Sequence, residues 1–335
     1  MVENNFDLKP INTFGISAIA AHFGRFSSII ELIDLLQNHP KEELLILGGG
    51  SNVLFTKNFE GLVIKNEIKG FEVISEDENE AIIKAGAGEI WHEFVLKCID
   101  KGFAGLENLS LIPGSVGASP MQNIGAYGTE IKNVFHELEA FHIATGEIHH
   151  FDNASCEFGY RESVFKHILK GQYVIISVSF RLSKKPNLNT SYGAIETELQ
   201  KMGISNPTIK DISNAVIAIR SSKLPDPKIL GNAGSFFKNP IVDQSIVDSI
   251  LINFPTAPNY PAETGKRKLA AGWLIEQAGW KGKIIGKSGV HNLQSLVLVN
   301  YGGSTGDEIY ALSSEIISDI EAKFGITLER EVNIL

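Results

Sequence analysis

The sequence predicts an α+β protein that is divided into more than one domain. Its 335 residues exceed the length that one hydrophobic core usually supports. Short apolar segments of strand character are predicted at 44–47, 137–143, 173–181 and 295–300. Helical periodicity is predicted at 28–40, 91–101, 208–222, 242–251, 269–278 and 307–324. Both strands and helices are therefore expected along the whole chain.

The composition limits the classes of partner. With 30 basic and 39 acidic residues the formal charge is −9, which disfavours general affinity for nucleic acid or anionic membranes. Cys98 and Cys156 lie far apart without metal-ligand spacing, so neither a disulfide framework nor a metal site is expected. The N-terminus carries no signal-peptide pattern and no run is long enough to span a membrane. These features predict a cytoplasmic protein.

The first helix has a clear start signal, and a strand and a glycine loop follow it. Ser28 and Glu31 form a capping box before an apolar helical face that stops near Pro40. The strand at 44–47 leads directly into Gly48-Gly-Gly-Ser-Asn52, whose backbone N–H groups can cradle a pyrophosphate. A tight structural turn is the alternative, because the spacing differs from that of the Rossmann fingerprint.

A second glycine-rich loop runs from Ile112 to Gly128. Its glycines at 114, 117, 125 and 128 permit close backbone approach, and its serine, amide and tyrosine side chains offer polar groups. Two separate glycine-rich loops suit a long dinucleotide. The earlier segment Gly86-Ala-Gly-Glu-Ile-Trp91 matches a dinucleotide motif poorly, because Trp91 occupies the place of the third glycine.

Several isolated residues could carry chemistry. Arg161 could hold a carboxylate bidentately, although a surface arginine is the simpler interpretation. Ser235 could donate a proton, but most serines in such connections are turn residues. For His291 and Glu331 the simpler interpretations are a hydrogen-bonded core histidine and a surface glutamate. Motifs of the common NTPases, serine hydrolases and zinc proteases are absent from the sequence. The residues alone thus predict a multi-domain dinucleotide-binding enzyme.

Four segments in one order resemble a known family. They are Gly48-Gly-Gly-Ser-Asn-Val-Leu, Ile112-Pro-Gly-Ser-Val-Gly-Ala-Ser-Pro-Met-Gln-Asn-Ile-Gly-Ala-Tyr-Gly128, Phe158-Gly-Tyr-Arg161 and Gly231-Asn-Ala-Gly-Ser-Phe-Phe-Lys-Asn-Pro240. Together they resemble the UDP-N-acetylenolpyruvoylglucosamine reductase (MurB) family, and the similarity extends over nearly the whole chain. The segment 186–193 resembles the tyrosine-bearing loop of the family's first subclass.

The resemblance implies a fold and a reaction. It implies two domains, 1–69 and 70–213, that form an FAD-binding unit of the vanillyl-alcohol-oxidase type, and a substrate-binding domain at 214–335. It further implies that NADPH reduces a non-covalently bound FAD, which then reduces the enolpyruvyl group of a UDP-sugar to UDP-N-acetylmuramate for peptidoglycan synthesis. No metal, nucleic acid or membrane partner is expected, and no protein partner can be inferred.

The resemblance also implies roles for individual residues. Ser235 would protonate C2 of the enolpyruvyl group, and Arg161 with Glu331 would polarise the substrate and stabilise the enolate. The residues expected around FAD are Gly48, Gly49, Gly50, Ser51, Asn52, Ile112, Pro113, Gly114, Gly117, Ser119, Pro120, Gln122, Asn123, Ile124, Gly125, Ala126 and Tyr127. Those expected around the UDP-sugar are Tyr160, Tyr192, Lys223, Asn239, Tyr260, Lys281 and Gln294.

Two other functions are compatible with parts of this pattern. A flavin oxidase acting on an alcohol would need no nucleotide pocket, and Lys223, Lys281 and Tyr260 argue against it. A nucleotide-sugar-binding regulator without catalysis is disfavoured by the presence of Ser235, Arg161 and Glu331. One departure from the family pattern is that the chain ends at Leu335, four residues after Glu331.

Overall fold

The computed structural model describes residues 2–40 and 42–335. The strands of this part are β1 (Glu3–Asp7), β2 (Ile19–Phe26), β3 (Leu44–Leu47), β4 (Val53–Leu54), β5 (Phe59–Asn66), β6 (Phe71–Glu76), β7 (Glu80–Gly86), β8 (Gly125–Ala126), β9 (Thr129–Glu130), β10 (Phe135–His142), β11 (Ile148–Asp152), β12 (Tyr173–Ser183), β13 (Gly231–Ser235), β14 (Ile241–Asp243), β15 (Asn259–Pro261), β16 (Lys266–Leu269), β17 (Ile284–Ile285), β18 (Ser288–Val290), β19 (Val297–Asn300) and β20 (Asn333–Ile334). Its α-helices are α1 (Ile29–Asn38), α2 (Trp91–Asp100), α3 (Gly193–Lys201), α4 (Ile209–Lys223), α5 (Gln244–Asn253), α6 (Ala271–Gln277) and α7 (Gly306–Phe324).

The chain divides into two compact units. The first contains residues 1–6, 20–50 and 59–222, and the second contains 7–19, 51–58 and 223–335. This division does not test the three domains expected from the sequence, which stay a prediction.

A four-stranded sheet in the first unit has the strand order β1-β2-β5-β3. Strands β2, β5 and β3 are mutually parallel, and α1 forms the crossover between β2 and β3. Helix α1 begins because the Ser28 hydroxyl accepts a hydrogen bond from the Glu31 backbone N–H at 3.2 Å. Its buried Leu32 and Leu35 pack with Leu62 and Ile64 of β5. The glycine loop at 48–50 thus leaves the carboxyl end of β3.

The first unit also contains a five-stranded antiparallel sheet in the order β11-β10-β12-β7-β6. Trp91 and Phe94 of α2 form an aromatic cluster with Phe180 of β12. The Trp91 indole N–H donates to the Leu109 carbonyl oxygen at 2.9 Å, which satisfies its one polar group in the core. This contact ties α2 to the segment that leads into the second glycine-rich loop.

Two small sheets dominate the second unit, in the orders β13-β19-β18-β17 and β14-β16-β15. Helix α7 starts with a reciprocal capping box between Thr305 and Glu308, and it ends at Gly325 in the left-handed conformation. The C-terminal β20 pairs in parallel with β4. This pairing brings the end of the chain back to the residues just after the first glycine loop.

Most elements expected from the sequence are confirmed with boundary shifts of a few residues. Helix α3 is the main element that the sequence does not predict. Tyr192, in the segment 186–193 that is expected to form a loop, immediately precedes this helix. Both cysteines are free and buried, and burial raises the pKa of Cys156 to about 12. Within the described residues no helix is long and apolar enough to cross a membrane.

Candidate active site

The two glycine-rich loops meet within the first unit. A Cβ atom added to Gly49 would lie 2.8 Å from the Cα of Gly114, and one added to Gly48 would lie 2.4 Å from the Ser115 hydroxyl oxygen. Real Cβ atoms do not come so close to backbone atoms, so this approach requires glycine at 49. The loops that the sequence predicted separately are therefore packed against each other.

This packing leaves backbone donors available. The N–H groups of Gly49, Gly114 and Ser115 donate to no acceptor among the described residues. Neighbouring amides of the same loop are used internally, as when Val116 N–H donates to the Glu89 carbonyl oxygen at 2.8 Å. Successive undonated N–H groups in a glycine-rich turn form a concavity that favours an anion. The residues present therefore fit the pyrophosphate of FAD.

The long loop is held in shape by Asn123. This buried residue has left-handed backbone geometry (φ 45°), and its side-chain amide donates to Glu130 Oε2 and to the Gly159 carbonyl oxygen, each at 2.9 Å. Its Oδ1 accepts from the Lys132 N–H at 3.2 Å. Both amide hydrogens are thus committed to the protein, which indicates that Asn123 organises the loop through its side chain.

The other predicted cofactor residues lie in the same two loops, and some have structural roles there. The Ser119 hydroxyl donates to the Val116 carbonyl oxygen at 2.7 Å. A Cβ on Gly117 would lie 2.5 Å from that of Ala87, so this glycine allows the loop to pack against the end of β7. In the second unit Asn52 donates its side-chain amide to the Glu331 carbonyl oxygen at 3.3 Å.

Arg161 is held in a rare backbone conformation beside the long loop. Its φ of 59° is uncommon for a residue with a side chain, and such geometry concentrates at functional sites. The guanidinium Nη2 donates to the Gly125 carbonyl oxygen at 2.7 Å and its carbon lies 5.4 Å from the centre of the Tyr160 ring. The side chain is partly buried, so it differs from the freely solvated surface arginine of the simpler interpretation.

In the second unit Ser235 and Glu331 lie on neighbouring segments. The Glu331 N–H donates to the Phe236 carbonyl oxygen at 2.8 Å, directly after Ser235 in the chain. Ser235 also pairs with Val297 of β19, after a register shift that includes Gly234 in the left-handed conformation. Two of the three predicted catalytic residues are therefore brought together by backbone pairing, and both are partly exposed.

Two predicted substrate residues meet at the start of α6 in the same unit. Asn239 Oδ1 accepts the Ala271 N–H at 2.9 Å. Gln294 Oε1 lies beside Gly272, where an added Cβ would be 3.2 Å away. Val297 of β19 pairs with Ser235, and Gln294 comes three residues before Val297. Gln294 therefore lies just before the strand that pairs with the Ser235 segment.

The remaining predicted substrate residues are exposed. Tyr260 lies on β15 and is 42% exposed, and Lys281 makes a 2.8 Å ion pair with Glu276 just after α6. Lys223 is the exposed last residue of α4. Tyr192, in the first unit, is 44% exposed, and its ring meets the ring of Tyr127 edge-on at 5.3 Å.

Comparison with known proteins identifies the family. A relative from Flavobacterium johnsoniae named UDP-N-acetylenolpyruvoylglucosamine reductase is 53% identical to this chain, covering 100% of the chain and 99% of the relative. One of the same name from Amoebophilus asiaticus is 50% identical, again over 100% of the chain and 99% of the relative. The chain belongs to the UDP-N-acetylenolpyruvoylglucosamine reductase family.

Domain models agree with this reductase family assignment. Residues 226–335 match the C-terminal domain of UDP-N-acetylenolpyruvoylglucosamine reductase, and residues 24–152 match an FAD binding domain. The crystal structure of the reductase from Thermus caldophilus superimposes with a TM-score of 0.70 at 22% identity, covering 100% of this chain and 98% of the other. The expected α+β fold with an FAD-binding part and a separate C-terminal domain is confirmed.

No sequence pattern singled out one positively charged side chain beside the long glycine-rich loop, that of Arg220. Arg220 of α4 donates from Nε to the Leu111 carbonyl oxygen at 3.2 Å, at the entrance of the long glycine-rich loop. Its side chain also hydrogen-bonds to Tyr127, and burial lowers the pKa of Arg220. One guanidinium therefore hydrogen-bonds to both ends of the loop that the FAD binding domain model includes. Periodicity gave no signal for it, because Arg220 ends an otherwise apolar helical face.

His291 is a core residue as expected, but the expectation that its polar atoms are hydrogen-bonded is wrong for Nδ1. His291 is 8% exposed, and its Nδ1 has no hydrogen-bond partner among the described residues. Burial lowers the pKa of this imidazole, which favours the neutral form. The hydroxyl of Ser295, next to Gln294, is likewise buried without a partner in the described chain. The reductase family segment 291–295 therefore carries unsatisfied polar atoms on both sides of a predicted substrate residue.

Proposed function

We propose that this chain catalyses the NADPH-dependent reduction of UDP-N-acetylglucosamine enolpyruvate to UDP-N-acetylmuramate. The observation that carries the proposal is the pairing of the Ser235 segment with Glu331 in a chain that is 53% identical over its full length to a protein of that reductase name. The product class places the enzyme in peptidoglycan precursor synthesis. FAD, bound without a covalent link, supplies the chemistry of hydride transfer from NADPH to C3 of the enolpyruvyl group.

The described residues supply the proton and the charge stabilisation. Ser235 donates its hydroxyl proton to C2 of the enolpyruvyl group, so that the hydride and one proton complete the reduction of the double bond. Gly234 and the pairing with β19 position the backbone that carries this hydroxyl. Arg161 presents a planar donor fork that stabilises the negative charge that develops on the substrate carboxylate. Glu331, hydrogen-bonded or protonated, polarises the substrate.

The substrate residues supply local affinity in a chain of net charge −9. Lys223 and Lys281 are exposed ammonium groups that suit the diphosphate of a UDP-sugar. Asn239 and Gln294 provide amide groups at the start of α6, and the tyrosines at 160, 192 and 260 provide rings and hydroxyls for the sugar nucleotide. We further propose a cytoplasmic location, since UDP-sugars and NADPH are the only partners that this chemistry requires.

The test follows both half-reactions. Purified protein should be yellow, should be bleached by NADPH without oxygen, and should regain its colour on addition of UDP-N-acetylglucosamine enolpyruvate, with UDP-N-acetylmuramate identified by mass spectrometry. Incorporation of one deuteron from D₂O at C2 would confirm the proton step. A protein that is bleached by an alcohol and not by NADPH, and is reoxidised by oxygen and not by the enolpyruvyl substrate, would instead favour the alcohol oxidase.

A further inference from the structure

Two imidazoles and a carboxylate converge in the first unit, at a place unrelated to the proposed reaction. His22 comes from β2, His39 caps the C-terminal end of α1, and Glu42 lies just before β3. His22 Nδ1 and His39 Nδ1 each lie 2.7 Å from a different oxygen of the Glu42 carboxylate. The two imidazole rings are 4.8 Å apart between centroids. Three elements therefore direct one ligand atom each toward the same point.

The distances are close to those of a metal centre. One potential ligand atom from each side chain lies within 4.8 Å of the other two. Ligand atoms at about 2.1 Å from a tetrahedral zinc ion lie about 3.4 Å from one another, so small side-chain rotations would complete the geometry. The side chains are free to make them, because they are partly exposed at 33% for His22, 14% for His39 and 28% for Glu42.

The chemistry of the donor set selects the kind of ion. Imidazole nitrogens suit zinc, copper, nickel and iron, whereas magnesium and calcium require oxygen ligands, of which this cluster offers only one carboxylate. Two imidazole nitrogens and one carboxylate oxygen would leave the fourth position of a tetrahedral ion for water.

The position in the fold defines what an ion would do there. Strand β3 begins two residues after Glu42 and runs toward the glycine loop at 48–50, and its four residues span about 13 Å. The cluster thus lies at the amino end of the parallel strands and the glycine loop at their carboxyl end. An ion here would link β2, the end of α1 and the entry to β3 without reaching the loop.

We propose that His22, His39 and Glu42 form a structural site for a divalent transition-metal ion of the zinc type. On binding, the metal takes the place of the two Nδ1 protons that hydrogen-bond to Glu42. Each Nδ1 releases its proton to water, and Nε2 takes up one proton from water, so that the bound imidazole is neutral. Because the ion binds the folded arrangement, it stabilises the native state. The proposed reaction does not depend on it.

The experiment uses the untagged, FAD-loaded protein after treatment with a chelator and its removal. Calorimetric titration with Zn²⁺ is expected to give one site per chain, and Zn²⁺ is expected to raise the melting temperature while Mg²⁺ leaves it unchanged. Co²⁺ is expected to give visible absorption bands of a tetrahedral nitrogen and oxygen site. Flavin reduction by NADPH should keep its rate, within twofold, with and without Zn²⁺.

Variants decide whether the ion is held at this cluster. His22→Gln and Glu42→Gln should each weaken Zn²⁺ binding by ~10-fold or more, since each removes a direct ligand. The double variant His142→Ala, His149→Ala is the matched control, because those imidazoles stack on the surface of the same unit, 5.4 Å apart. It should bind Zn²⁺ as the parent does.

Three results would overturn the proposal. They are no stoichiometric Zn²⁺ binding by the parent protein, unchanged binding by both cluster variants, or loss of binding only in the control variant. If a cluster variant does not fold, X-ray absorption of the Zn²⁺-loaded parent decides instead, because the proposal requires two imidazole ligands in its spectrum and any other count contradicts it.

Discussion

At the scale of single residues, Ser235 illustrates how much a side chain depends on its backbone. Its segment pairs on one side with Val297 and on the other, through Phe236, with Glu331. A serine on a backbone fixed in this way suits the role of a positioned acid better than a serine in a free turn does. The proposed role of Ser235 therefore rests on two rows of backbone hydrogen bonds.

Replacing Ser235 by alanine should separate the two half-reactions. Ser235→Ala removes the proton donor with little change in volume, so reoxidation of the reduced flavin by the enolpyruvyl substrate should slow by ~10² to 10⁴-fold. Flavin reduction by NADPH should keep its rate. Ser235→Cys, which retains an acidic proton, should be faster than Ser235→Ala. Stopped-flow absorbance measures each step, with the exposed Ser249→Ala as control, and reoxidation of Ser235→Ala at the parent rate would contradict the role.

Lys223 should act on substrate binding alone. Lys223→Ala removes an exposed ammonium group proposed to face the diphosphate, so the Kd for the UDP-sugar should rise by about tenfold while flavin reduction by NADPH changes little. Lys228→Ala, an exposed lysine five residues further along the same connection, is the matched control. Equal losses in both half-reactions, or equal effects of the two variants, would argue against a specific contact.

At the scale of elements, the glycine loops depend on each other. Gly49 is needed because a Cβ there would lie 2.8 Å from Gly114 Cα and 3.2 Å from its carbonyl carbon. Both atoms belong to the backbone, which cannot move aside as a flexible side chain can. The undonated N–H groups that suit a pyrophosphate belong to the same pair of loops. Any substitution that pushes the two loops apart should therefore disturb the cofactor site.

Gly49→Ala should lower both stability and FAD content. Forcing a methyl group against the Gly114 backbone costs about 1–3 kcal/mol and separates the loops. Gly193→Ala is the control, because Gly193 begins α3 with nothing within 4 Å of its added Cβ and alanine favours helices. Thermal melting and the ratio of flavin to protein absorbance measure the two effects. FAD content equal to that of the parent would show that the loop tolerates the added methyl group.

The antiparallel sheet contains a pH-dependent contact. Glu139 of β10 makes a 2.7 Å ion pair with Lys84 of β7 and accepts a 2.7 Å hydrogen bond from Ser177 of β12. Burial acts to raise the pKa of Glu139, but Lys84 and Ser177 hold it below the usual value of 4.5. The stabilisation is therefore present above pH 4.5 and is lost as the pH falls through the lowered pKa.

Glu139→Gln should expose this dependence. At pH 7 the variant should be about 1 kcal/mol less stable than the parent, because a partly exposed ion pair and one charged hydrogen bond are weakened. The difference should shrink as the pH falls below 4.5, where the parent carboxylate becomes protonated. Urea unfolding at a series of pH values measures it. A difference that is constant with pH would mean that the charge of Glu139 contributes nothing.

At the scale of the whole molecule, we expect bound FAD to stabilise the native state and to be released when the protein is denatured. The two glycine loops contain neither cysteine nor histidine for a covalent link, so acid precipitation should release all flavin into the supernatant. For the refolded apoprotein, FAD at 100 times its Kd should stabilise the native state by about 2.7 kcal/mol. Flavin retained on the precipitated chain, or a melting temperature independent of FAD concentration, would contradict non-covalent binding.

The sequence by itself determined most of the secondary structure and the chemical class. Signals such as the Ser28 and Glu31 cap and the glycine spacing of the two loops are local, so they can be interpreted without knowledge of distant contacts. The order of four motifs was enough to predict the reductase family. Helix α3 was missed because Tyr192-Gly193 offers no capping side chain, and its burial against α4 compensates for this weak start.

Only the tertiary structure decided which residues meet. Ser235 and Glu331 are far apart in sequence and come together through backbone pairing that no local pattern encodes. The same is true of Arg220 beside the long loop and of the buried His291 Nδ1 that lacks a hydrogen-bond partner among the described residues. It is also true of the cluster of His22, His39 and Glu42. Side-chain identity and spacing determine local conformation, whereas contacts between distant residues depend on how whole elements pack, and that requires the folded chain.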